Sequence, residues 1–298
     1  MIDTQVVIEG EGRSAALDIF RIGLALLIYF FHSHCHLGCT YGILTTFFSY
    51  GNIAMTGFFM LSGYAMTLGY GKNDFTEWND YKRFYTKRLI TIYPLYIVTG
   101  TLFVLMNIVV GKQTITDNLL LLPIEILGIQ AIFPGSLFAF AHNSGTWFIS
   151  CILLSYLLYP IILMGIRNMK HSALSVLLVG VIASLIYIPY IDITFSTHDL
   201  YTNPFYRFIE FSSGVLLAFN RSDKRLNTIY AIILVVSFIL LISGISIAST
   251  YKYLFVAPCF AIIIWCCGNI QSISTNRHSA IRYMSSLTYS FFLAQFFV

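Results

Sequence analysis

Long apolar runs separated by short polar segments dominate the chain. Bracketed by their polar flanks, these runs predict membrane helices near residues 17–38, 50–70, 89–110, 147–166, 172–190, 204–220, 227–248, 253–269 and 283–298. Each is close to the roughly 20 residues that cross a hydrocarbon core, and the last is short. The stretch 118–134 is apolar too, but Pro123, Glu125, Gly128 and Pro134 interrupt it. It is expected to re-enter or lie at the interface rather than span. The pattern predicts an all-α, polytopic transmembrane helical bundle of nine or ten spans. No repeat is visible, and no polar stretch is long enough for a second domain, so residues 1–298 are expected to form a single domain. The longest connection, Gly71–Lys87, reads as a polar, basic loop.

Composition narrows the class. Of 298 residues, 57% are hydrophobic and 10% charged, against about 25% charged in a soluble domain. With a mean hydropathy of +0.77, that excludes an ordinary soluble enzyme, a disordered chain and a nucleic-acid-binding domain. Membrane lipid is the expected surrounding, and no nucleic-acid partner is expected. The six cysteines lie mostly inside apolar runs and read as small buried hydrophobes. Met1 to Ala15 is polar and acidic, unlike a cleavable signal peptide, so the first apolar run is expected to be retained.

The positive charges orient the bundle. With the N-terminus in the cytoplasm and nine spans, fourteen of the seventeen Lys and Arg fall inside, leaving Lys112, Arg207 and Lys252 outside. Counting 118–134 as a span would invert every later segment and move Arg167, Lys170 and Arg221–Arg225 outside. The positive-inside rule favours the nine-span arrangement with a cytoplasmic N-terminus.

Ionisable groups inside spans are costly and mark functional candidates. The first span carries Asp18 and Arg21, three residues apart, then His32, eleven residues beyond Arg21. Eleven residues make about three helical turns, so Arg21 and His32 share a face roughly 16 Å apart. Arg21 falls near the cytoplasmic mouth and His32 deep toward the outer half. The plainer alternative is a snorkelling arginine and an interior histidine. Histidine, with an ordinary pKa of about 6.5, suits a base at neutral pH. His36 lies at i+4 from His32, as two ligands of one metal ion would. His142, His171, His198 and His278 are scattered over other segments, and no metal is expected.

Other features are weaker alone. Ser62 and Gly63 in FFMLSGY are small enough to admit a neighbouring helix or a ligand. Lys82, Arg83, Lys87 and Arg88 lead into Tyr93-Pro94 at the cytoplasmic face. They read either as a topology and anionic-lipid signal or as a clamp for a phosphorylated ligand, since guanidinium binds phosphate bidentately. Trp147 opens a span at the outer interface, with His142 and Asn143 just before it as candidates to touch a polar acceptor. Arg207 and Glu210, three residues apart, read as a structural ion pair.

Taken in order, these features resemble the acyltransferase-3 family of integral-membrane acyltransferases. The likeness rests on Arg21 and His32 with Asp18 ahead, FFMLSG (58–63), the basic run into Tyr93-Pro94, TWFIS…YLLYP (146–160), RFIEFSSGVLLA (207–218) and SLTYSFFLAQ (286–295). It covers nearly the whole chain. The resemblance implies a bundle of about ten membrane helices in a bacterial cytoplasmic membrane. It also implies transfer of an acyl group, often acetyl, from cytoplasmic acyl-CoA to a hydroxyl of a cell-surface glycan or a lipid-linked sugar. His32 takes the place of the family's essential catalytic residue and Arg21 of the arginine needed with it, with Asp18 in support. Lys82, Arg83, Lys87, Arg88 and Tyr93 are implied to hold the acyl-CoA, and Ser62 and Gly63 to shape the acyl passage. The chain departs from the family where Thr91 replaces a frequent second arginine, where Cys151, Ile152 and Leu153 replace a Glu-rich segment, and where Gln295 replaces a frequent histidine. The same buried charges would serve a transporter of a lipid-linked or small polar solute. His32 and His36 leave a metal or haem protein as a third reading.

Overall fold

A computed structural model describes residues 14–111, 115–132, 145–168, 201–219, 252–270 and 275–295. The described residues are helical, with short connections and no strand. We number the helices α1 (Ala15–Leu37), α2 (Thr45–Ser49), α3 (Ala54–Tyr70), α4 (Trp78–Val109), α5 (Ile115–Leu127), α6 (Trp147–Asn168), α7 (Pro204–Phe219), α8 (Lys252–Asn269) and α9 (Thr275–Ala294). Among the described residues, α1, α4 and α6 are long and apolar enough to cross a membrane. The expected spans 172–190 and 227–248 lie outside the described residues. The protein is an all-α membrane helical bundle.

The chain divides into two compact units. The first comprises Met1–Asp74, Ile162–Ala183 and Ile209–Thr288. Here α1 packs against α3 and α8, and α3 packs against α8. Ser14 caps α1 by accepting from the Ala16 N–H, and its hydroxyl donates to the Cys267 carbonyl at the end of α8 at 2.7 Å. The helix stops at Gly38, whose φ of 65° a residue with a side chain rarely adopts. Beyond it, Tyr41 packs edge-on against Phe30 of α1 and against Phe48, Phe48 lies tilted against Phe30, and Ser33 and Tyr41 share a 2.5 Å hydroxyl contact. These contacts fold the short helices over the histidine-bearing end of α1.

Lipid tails are as apolar as leucine, so helices in a bilayer associate through close packing and polar contacts. The α3–α7 crossing shows this. A Cβ on Gly63 would land on the Phe211 carbonyl, and one on Gly214 would land on the Met60 carbonyl. Two glycines on facing helices thus let the backbones touch. Gly268 of α8 likewise abuts the hydroxyl of buried Tyr64. The connection after α3 is tied down by Arg167, which pairs with Asp74 at 2.7 Å and also donates to the Gly71 carbonyl.

The second unit comprises Phe75–Ile161, Ser184–Phe208 and Tyr289–Val298. Tyrosine hydroxyls tie its helices to backbone carbonyls. Tyr85 of α4 donates to Leu157 of α6 at 2.8 Å, Tyr96 to Glu125 of α5 at 2.5 Å, and Tyr289 of α9 to Ile92 of α4 at 2.9 Å. Buried Gln130, just past α5, donates to the Thr146 carbonyl at 2.9 Å and to the Tyr96 hydroxyl at 3.3 Å. Phe75, Phe84 and Tyr159 form a buried aromatic cluster. Thirteen residues of α5 rise only about 20 Å, short of the roughly 30 Å hydrocarbon core.

Three boundaries differ from expectation. The last helix, α9, starts at Thr275, eight residues before the expected 283, because the polar stretch Thr275–Arg282 continues the helix without a glycine or proline to break it. The helix expected from residue 89 starts eleven residues earlier, at Trp78. Between Asp80 and Lys87 no glycine or proline interrupts the chain, and Asp80 in the first turn complements the helix dipole. Its polarity therefore reflects an exposed helix rather than a loop. The second span also starts later than 50, at Ala54, because Gly51–Ile53 form a 3-10 turn. Gly51 there lies against the Leu27 carbonyl and Phe31 of α1.

Candidate functional site

Asp18, Arg21 and His32 all lie on α1 in the first unit, and the helix runs unbroken between them. Asp18 is 1% exposed and accepts a hydrogen bond from the hydroxyl of Ser285 on α9 at 2.7 Å. Arg21 and His32 are half-buried. The His32 ring stacks on His36 with centroids 5.4 Å apart and planes 17° from parallel. His34, pointing elsewhere, engages the Cys39 carbonyl through Nδ1 at 2.8 Å. Among the described residues no group of three His, Cys, Asp or Glu is placed to hold a metal ion. What α1 offers is a titratable ring and a guanidinium at fixed separation along one face.

In the second unit, an open groove of ≈ 600 Å³ runs along α4, lined by Asn79, Lys82, Arg83, Thr86, Lys87, Ile90 and Thr91. Their spacing of three and four residues is the signature of a single helical face. From Asn79 to Thr91 this face extends about 18 Å. Three exposed cations with amide and hydroxyl groups between them suit a ligand carrying several phosphate oxygens. Thr91, standing where the family often has arginine, lies in the groove and donates its own hydroxyl to the Lys87 carbonyl at 2.7 Å.

Arg88 does not line this groove. Its guanidinium lies 5.9 Å from the ring centres of both Phe84 and Tyr156, because residue 88 falls on the α4 face turned toward α6. Tyr93 is likewise engaged in packing, its hydroxyl donating to the Leu127 carbonyl at 3.3 Å. The cationic cluster read from sequence therefore separates into groove residues and an arginine held among aromatic rings.

The small residues also separate. Gly63 is spent on the backbone contact with α7, while Ser62 is half-buried on α3. On the expected acceptor side, Trp147 is 2% exposed and forms a cage with Tyr201 and Tyr206 around Arg207. Arg207 is fully buried and donates through Nε to the Tyr201 carbonyl at 2.9 Å. His142 and Asn143 lie outside the described residues. Glu210, in the first unit, accepts from Thr56 at 2.7 Å.

Sequence reasoning missed Ser285, Thr56, Asn79 and Thr86. The helical spacing of Asn79 and Thr86 with the lysines was a usable signal. Nothing in the local sequence joins Ser285 to Asp18, which lie 267 positions apart.

A family model described as an acyltransferase domain matches residues 14–298. Over 184 residues the chain is 25% identical to the acyltransferase MdmB of Streptomyces mycarofaciens, a match covering 61% of this chain and 45% of that protein. The matched stretch is thus under half of that relative's length. No solved structure matches the chain.

Proposed function

The chain belongs to the acyltransferase-3 family, and from that membership we propose that it moves an acyl group, acetyl in the first instance, from cytoplasmic acyl-CoA to a hydroxyl of a cell-surface glycan or lipid-linked sugar. The observation that carries this reading is the placement of Arg21 and His32 on one face of α1, within the matched residues. The setting is a bacterial cytoplasmic membrane with the N-terminus inside.

His32 acts as general base. It takes the proton from the acceptor hydroxyl as the oxygen attacks the thioester carbonyl. The carbon–sulfur bond breaks, and the departing thiolate of CoA takes the proton back from the imidazolium. Lys82, Arg83 and Lys87 hold the phosphates of the donor along α4, and Asn79, Thr86 and Thr91 add uncharged hydrogen-bonding groups. Arg21 works with His32 from the mouth of α1, and Ser62 contributes to the acyl passage.

The test uses membrane vesicles with the cytoplasmic face exposed, given acetyl-CoA labelled in the acetyl group. Label on an acceptor with release of CoA is the expected outcome, abolished by His32→Ala in a protein that still purifies as a folded monodisperse species. Solute movement with no CoA released would instead identify a transporter.

A further inference from the structure

We propose that Ser285 is a positioning residue for acyl transfer, acting through Asp18 on the helix that carries Arg21 and His32. This assignment rests on the acyltransferase reading.

The Ser285 hydroxyl donates to Oδ1 of Asp18 at 2.7 Å, and each residue is 1% exposed. Both belong to the first unit. Asp18 sits in the first turn of α1, and Arg21 follows one turn later on the same face. A second bond enters the same end of the helix, where Ser14 donates to the Cys267 carbonyl at 2.7 Å. The two bonds do different work. Ser14 fixes the end of α1 against a main-chain carbonyl of α8. The Ser285 contact grips a side chain, so it sets the rotation of α1 about its own axis as well as its height against α9. Because α1 is continuous from Ala15 to Leu37, a rotation set at Asp18 is transmitted to Arg21 and His32 together.

Packing alone does not call for this pairing. An alanine would fill the place of Ser285 with little loss of contact area. The hydroxyl adds a directed donor to a carboxylate withdrawn from water, and a carboxylate in that setting takes up the geometry its donors dictate. Ser285 touches no reacting atom in this scheme; its effect passes through Asp18.

The experiment measures acetyl-CoA turnover by the purified full-length protein and by Ser285→Ala, Asp18→Asn and the double variant. A misplaced catalytic face costs rate, so Ser285→Ala is expected to lower kcat by about tenfold or more. KM for acetyl-CoA should stay within about twofold, because the donor groove on α4 is untouched; a protein merely loosened would not split the constants this way. Ser285→Thr, which keeps the hydroxyl, is expected to retain most of the activity. In the Asp18→Asn background, Ser285→Ala should add no further loss, since residues acting as one unit are not additive. If the threonine variant does not elute as a folded species, the double variant decides alone. Wild-type kcat in Ser285→Ala, or losses that multiply in the double variant, overturns the assignment. A wild-type protein that releases no CoA overturns the acyltransferase reading itself and this assignment with it.

Discussion

Thr56 on α3 donates its hydroxyl to Glu210 on α7 at 2.7 Å, with both side chains withdrawn from solvent. The same crossing brings Gly63 and Gly214 onto facing backbones. A carboxyl group buried among apolar helices is costly unless hydrogen-bonded, so this contact belongs to the helix interface rather than to its edge. Replacing Thr56 by valine keeps the shape and removes the donor. We expect a loss of about 1–3 kcal/mol, read as a lowered melting temperature of the detergent-purified protein. Thr56→Ser should lose much less.

The glycine pair makes a sharper test. Gly63→Ala and Gly214→Ala each place a Cβ against a backbone carbonyl, which cannot swing aside as a side chain would. Overpacking costs about 1–3 kcal/mol where side chains can yield, and more is expected here. Both variants should show sharply reduced yield of folded protein. Gly23→Ala and Gly69→Ala, whose added Cβ would meet nothing within 4 Å, serve as controls and should purify normally.

The separation of Arg88 from the groove predicts two phenotypes from neighbouring cations. Lys87→Gln and Arg83→Gln should each raise KM for acyl-CoA by about three- to tenfold, with the effect shrinking as salt is added, since exposed charges are screened. Arg88→Gln should leave KM near wild type and lower thermal stability through loss of its contacts with Phe84 and Tyr156. A KM effect from Arg88 as large as that from Lys87 would refute the division.

Arg207 supplies the fourth prediction. Its guanidinium lies 5.4–5.9 Å from the ring centres of Trp147, Tyr201 and Tyr206. Lysine carries the same charge but lacks the planar group that stacks on rings and the Nε donor used here. Arg207→Lys should therefore destabilise the protein by about 2 kcal/mol or more, measured by thermal unfolding. An unchanged melting temperature would show that charge alone suffices at this position.

Much of the architecture was open to reading along the chain because it is set by local chemistry. Ser14 and Gly38 bracket α1 within one or two residues of the expected span, and Trp147, Pro204 and Lys252 open α6, α7 and α8 close to where polar flanks put them. The start of α4 is not legible from polarity, because a charged stretch without glycine or proline continues a helix as readily as it forms a loop. The site divides in the same way. Faces follow from spacing, so Arg21 and His32 were visible together, as were the cations of α4. Partners do not. That Gly63 meets α7, that Arg88 meets Tyr156 and that Ser285 meets Asp18 are facts of tertiary packing between segments distant in sequence.

The unbroken course of α1 has a consequence for motion. Between Arg21 and His32 the helix contains one glycine and no proline, so their separation of roughly 16 Å is set by helical rise and no hinge shortens it. A histidine and an arginine mounted on the same rod keep their backbone separation through every conformational state in which the rod survives. In the transfer reaction proposed above, the component left to travel along α1 is the substrate, whose own rotatable chain would span the interval.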